Sequence, residues 1–182
     1  PPRSTLFPYT TLFRSSLFVF ADDANSGIIY GPNWSYMITA PAGYVWDSEL
    51  LQKYGIWGLF WEAKQGKYIP QKHNMFINPV RKDNGYPIDL EALIKWDIDY
   101  YIENTPGLIV EFYKDIILGA NKIAKLYTFN DSRKGYYSIS AYICEENASF
   151  VFVLVDRSLE DRKKHEKSFE ELLASFIYMN KK

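Results

Sequence analysis

The chain has 182 residues, 21 basic and 22 acidic side chains, a net charge of −1 and one cysteine. That balance lacks the basic footprint of a nucleic-acid binder, and a lone thiol forms no internal disulfide. The length fits one domain that can bury a core without disulfide or metal staples.

The first fifteen residues, PPRSTLFPYTTLFRS, back-translate codon by codon into a short-read sequencing adapter. Residues 1–15 are therefore expected to be an artefact that makes few packed contacts, and they are set aside before fold reasoning. Residues 16–21 (SLFVFA) resemble the tail of a secretory signal peptide, with small Val19 and Ala21 at the third-last and last positions before a cut. A short edge strand is the competing reading. Removing residues 1–21 takes away Arg3 and Arg14 and no acid, so the net charge of residues 22–182 becomes −3. The expectation is one exported domain over 22–182, periplasmic or secreted. Asp22 after the cut argues against a lipoprotein, and no other apolar run is long enough to span a bilayer.

Residues 35–40 alternate, with Tyr36, Ile38 and Ala40 on one face, before Pro41-Ala42-Gly43 breaks the strand. Residues 57–62 form a second strand with Trp57, Leu59 and Trp61 on one side. Residues 74–78 make a third, ended by Pro79. A helix follows from its N-cap Asp89, carrying Leu90, Leu93, Ile94, Ile98, Tyr101 and Ile102 on one face, and Thr105-Pro106-Gly107 stops it. Residues 109–156 read as a four-strand antiparallel meander. In its first strand Val110, Phe112, Ile116 and Leu118 share a face. Its last run, SFVFVLV (149–155), is apolar on both sides and belongs in the middle of a covered sheet. A final helix starts at a Ser158/Asp161 capping box, and its stripe runs through Phe169, Leu172, Leu173, Phe176 and Ile177. Segregated strands and helices give an α+β class built on an antiparallel β-sheet.

The opening Ile38-Thr39-Ala40-Pro41-Ala42-Gly43-Tyr44, the helix Leu90-Glu91-Ala92-Leu93-Ile94 and the ending FEELLASF (169–176) resemble the PsbP-like family. The resemblance spans most of residues 27–180 and is strongest to small exported bacterial proteins. It implies an α/β/α sandwich with helices on both faces of the sheet, and it implies no activity. Photosynthetic and nuclear roles do not carry over, because no matching functional residues stand here.

No phosphate-cradling loop, H-E-x-x-H, G-x-S-x-G or metal-spaced Cys/His set is present, so neither a catalytic residue nor a cofactor nor a metal is expected. Aromatic residues crowd the stretch from Tyr30 to Tyr68, and Tyr44 and Trp46, placed in the loop after Pro41, are the candidate exposed binding residues. The leading expectation is a non-catalytic exported domain that binds a protein or envelope component. The alternative is a small hydrolase-like enzyme using His73 or Cys144. Read singly, His73 is a loop or strand-end histidine, His165 faces solvent in the charged half of the last helix, and Cys144 is a packed, inert thiol. Exposed Tyr44 and Trp46 would favour binding; a pocket joining His73 to a carboxylate or to Cys144 would favour the enzyme.

Overall fold

A computed structural model describes residues 19–23, 25–31, 34–47, 56–69, 72–81, 89–119 and 122–180. Residues 1–18, and with them the adapter segment, lie outside the described residues. The strands are β1 (Val19–Asp23), β2 (Ser26–Tyr30), β3 (Trp34–Thr39), β4 (Tyr44–Trp46), β5 (Gly58–Glu62), β6 (Asn74–Arg81), β7 (Ile109–Leu118), β8 (Lys122–Asp131), β9 (Tyr136–Cys144), β10 (Ala148–Asp156) and β11 (Ile177–Asn180). Helix α1 (Leu90–Asn104) precedes β7, and α2 (Leu159–Ala174) lies between β10 and β11. Seven strands form one sheet in the order β4-β5-β6-β10-β9-β8-β7, and β1-β2-β3-β11 form a smaller one. Both are antiparallel throughout.

β10 is the fourth of the seven strands, as its two-sided apolar sequence requires, and Ser149–Leu154 are all buried. The helix starts also follow the sequence. Asp89 Oδ1 accepts from Ala92 N–H at 2.7 Å, and Ser158 Oγ accepts from Asp161 N–H at 3.0 Å. These side chains satisfy backbone donors that the first helical turn leaves without a partner. The Asp161 carboxylate reaches the Ser158 hydroxyl at 2.7 Å, so this cap is closed through side chains.

Three expectations are corrected. β6 does not end before Pro79 but runs through it, with Pro79 opposite Phe150. A proline is tolerated there because position 79 turns its backbone toward the β5 side, as Ile77 does in accepting from Trp57 N–H, and among the described residues β5 pairs only with Met75, Phe76 and Ile77. Phe112 is not on a buried face. It is 56% exposed beside a bulge between Phe112 and Lys114 that shifts the β7/β8 register. The last helix stops at Ala174, and Ile177–Asn180 turn into β11 against β3. Ser175 anchors that exit, its hydroxyl donating to Thr39 O at 3.0 Å.

Aromatic side chains tie the two sheets together. Tyr36 of β3 meets Phe150 at 5.4 Å and Phe176 at 5.5 Å, and Trp34 meets Trp57 at 5.0 Å. The Tyr36 hydroxyl donates to Trp57 O at 2.7 Å, so its polar end stays satisfied inside the core. Each such ring contributes roughly 1.5–3 kcal/mol by leaving water. Fixing the two sheets in this way sets the level at which β5, β6 and β10 end together, beside the first turns of α2.

Candidate functional site

At that end of the large sheet lies a cavity of about 490 Å³. Glu62 closes β5, His73 immediately precedes β6, Asp156 closes β10, and Asp161, Lys164 and His165 come from α2. The antiparallel β6/β10 register, which pairs Asn74 with Val155, brings His73 level with Asp156. His165 enters from the buried face of α2, which carries Arg162, His165, Phe169, Leu172 and Leu173.

One carboxylate holds both imidazoles. His73 Nδ1–H donates to Asp156 Oδ2 at 3.1 Å, and His165 Nδ1–H is shared between Oδ1 and Oδ2, each at 3.2 Å. The rings stack with centroids 3.7 Å apart at 27°. With both Nδ1 atoms donating, each Nε2 carries a lone pair when the ring is neutral. His73 Nε2 is satisfied, because the Tyr44 hydroxyl donates to it at 2.7 Å. Burial, assisted by the Glu62 charge, pushes the Tyr44 phenol well above its ordinary range, so it stays a donor. His165 Nε2 is buried with no hydrogen-bond partner, and its nearest acidic oxygen is Glu62 Oε1 at 3.5 Å.

Both carboxylates are ionised. Burial pushes Asp156 upward, but hydrogen bonds from His165 and His73 outweigh it and hold the carboxyl below its usual range. Burial likewise raises Glu62, while its 2.7 Å ion pair with Lys64 and the nearby His165 bring it below. The arrangement can take up a proton, polarise a bound group or ligate a cation. The ligand atoms of His73, Asp156 and His165 lie within 4.8 Å of one another.

The expected sites fare differently. Tyr44 and Trp46 are not exposed in a loop: they sit in β4, 5% and 8% exposed. The Trp46 ring covers Gly27 so closely that a Cβ there would stand 1.7 Å from it. No exposed aromatic platform forms from this pair, although Tyr44 reaches the pocket through its hydroxyl. His73 is a strand-end histidine, and a buried one. His165 does not face solvent and is 7% exposed. Cys144 ends β9 opposite Ser149, whose hydroxyl lies 3.2 Å from its sulfur. Ser149 and Asp156 are seven positions apart along β10, about 23 Å of strand, so Cys144 is not brought to the histidines.

A signal for His165 was present in the sequence. Extending the α2 stripe back from Phe169 by four and seven positions reaches His165 and Arg162. Nothing local announces the His73–Asp156 pair, which exists only through the β6/β10 register.

A second surface stands at the far side of the large sheet. β7 ends the strand order, and Ile109, Phe112, Tyr113 and Ile117 are exposed along it, with Ile123 of β8 opposite Ile117. Ile117 is 76% exposed. Charged residues interrupt the row, and Lys114 is drawn across to Glu166 and Glu170 of α2 at 2.6 and 2.5 Å. Among the described residues no helix is long and apolar enough to cross a membrane.

No protein-family model and no curated protein matches the sequence. Solved structures do. The solution structure of cyanobacterial PsbP from Synechocystis superposes with a TM-score of 0.52 at 9% identity, over 86% of this chain and 94% of that one. The crystal structure of the Saccharomyces cerevisiae Ran-binding protein Mog1p superposes with 0.53 at 10% identity, over 85% and 96%. At such identities the likeness speaks to fold, and on it the chain has the PsbP-like fold.

Proposed function

We propose that the chain is a non-catalytic, extracytoplasmic binding domain of the exported bacterial PsbP-like kind, which holds a protein or envelope component against the outer strand of its large sheet. The observation that carries this is the exposed apolar group Phe112, Ile117 and Ile123, which the register puts on one face of β7 and β8 beside a sheet edge. An edge strand offers backbone N–H and C=O groups to an added strand, and apolar side chains on it offer pockets and anchors. Mog1p, described as Ran-binding, lends support as a protein of this fold that binds a protein. Residues 16–21 support export, with a domain starting at Asp22.

Helices on both faces of the sheet belong to the same reading. Tyr142, paired with Val151, sends its hydroxyl to Asp97 of α1 at 2.6 Å, while Asp156 takes His165 of α2. Val151 and Asp156 are five positions apart on one strand, which by the two-residue period puts them on opposite faces.

Affinity capture from a native cell envelope tests the binding reading, with an Ile117→Lys/Phe112→Lys double variant beside the unaltered chain. The expected result is one component retained by the unaltered chain, rebinding when purified, and lost by the variant at unchanged far-UV circular dichroism. Equal recovery by both proteins removes the reading.

A second reading, the hydrolase-like enzyme, has one observation in its favour: His73 and Asp156 do join in a pocket, with the His165 Nε2 lone pair available as a general base. It proceeds without Cys144. Chromogenic ester and amide hydrolysis abolished by His165→Ala would support it, and activity unchanged in that variant would end it.

A further inference from the structure

We propose that the pocket at the end of β5, β6 and β10 binds a divalent transition-metal ion of the zinc class, ligated by His165 Nε2 and Glu62 and held in place by Asp156. The inference starts from two acceptors that face each other. His165 donates its Nδ1–H to Asp156, so the neutral ring presents a lone pair at Nε2, and Glu62 presents a carboxylate whose Oε1 also holds Lys64 at 2.7 Å. Their 3.5 Å separation is not a hydrogen bond, and the buried Nε2 has no other partner. A buried polar atom without a partner calls for something to satisfy it.

The separation has the size a metal requires. Nitrogen and carboxylate ligands sit about 2.0–2.2 Å from zinc, and a tetrahedral angle then puts them about 3.4 Å apart. Imidazole and carboxylate are also the donors such an ion accepts. The support is of the right kind, since a histidine that ligates through one nitrogen commonly donates the other N–H to a carboxylate. Asp156 does this for His165, and His73, stacked on the His165 ring and bonded to the same carboxylate, keeps both from turning away. Water completes the coordination from the cavity side. A proton on Nε2 is the competing occupant, and it would leave the contact to Glu62 longer than an N–H···O bond. The sequence hides this site because its four residues, at 62, 73, 156 and 165, follow no local metal-binding spacing.

The test uses the purified chain with zinc alone, followed by calorimetry, and with cobalt alone, followed by its visible absorption. One bound zinc per chain and a cobalt spectrum are expected. Glu62→Gln, at a partly exposed position that does not threaten folding, should weaken binding at least about tenfold, as should Asp156→Asn, which acts through His165. His165→Ala should remove the cobalt spectrum. Absence of saturable zinc binding overturns the proposal. So does binding that survives both Glu62→Gln and His165→Ala, which would mark an adventitious ion only. None of these readouts involves β7 or its partner, so the two proposals stand or fall separately.

Discussion

Asp156 accepts from two imidazoles while only 2% of its side chain is exposed, which makes it the most constrained polar group in the pocket. Replacing it by Asn leaves one oxygen for two N–H donors and sets an amide N–H₂ against an imidazole N–H. Loss of about 2–4 kcal/mol is expected from urea unfolding at pH 7, the range for breaking a buried charged network. The pH dependence has a definite sign. The folded-state carboxyl lies below its usual value, so its contribution is present above about pH 4 and is lost as pH falls through the folded value. Urea midpoints for the unaltered chain and Asp156→Asn should therefore converge from pH 5 to pH 3. A constant gap across that range would mean that Asp156 is not held ionised by the histidines. Tyr44→Phe removes the donor to His73 Nε2 and nothing of the ring, and about 1 kcal/mol should go with it.

Among the elements, β4 shows how a strand of three residues shapes the molecule. Its Trp46 ring lies over Gly27 of β2, where the missing Cβ makes room. Gly27→Ala would drive a methyl into an indole that is itself packed in the core, and overpacking of that kind costs about 1–3 kcal/mol. Gly43→Ala offers a contrast at a different kind of position: open space surrounds it, but its φ of 82° charges a backbone penalty of about 1 kcal/mol. Thermal melts of the two should separate packing from conformation, since a compensating Trp46→Phe would recover the first and not the second. The elements that were readable beforehand have causes that lie within them. β10 is apolar on both faces because it is central, and Asp89 and Ser158 cap because the first turns need acceptors. The end of α2 was not readable, since Phe176 and Ile177 continue the helical spacing, and only the free edge of β3 draws Ile177–Asn180 into a strand. Tyr44 and Trp46 were misread for the same reason: what buries them is β5 on one side and β2 beneath, both distant contacts.

For the whole molecule, the open question is where the natural domain begins, and the structure gives it a sharp form. Val19 and Phe20 of β1 pair with Ile29 and Ile28, and after an irregularity Asp23 pairs with Ser26. If residues 16–21 are the remains of an export signal, a mature chain starting at Asp22 gives up the first two pairs and keeps the third. The small sheet then rests on β2, β3 and β11, which hold one another by their own pairings and the core through Tyr36 and Phe176. β1 occupies an outer position in the small sheet, and the described lining of the pocket comes from other elements. The expected outcome is that residues 22–182 melt within about 2 °C of the full chain, less than the shift 1 kcal/mol brings at this size. Cobalt binding should be unchanged in the same sample. A fall of more than about 6 °C, roughly 2 kcal/mol, would instead make β1 a native strand and remove the export reading of SLFVFA, leaving the pocket and its metal proposal untouched.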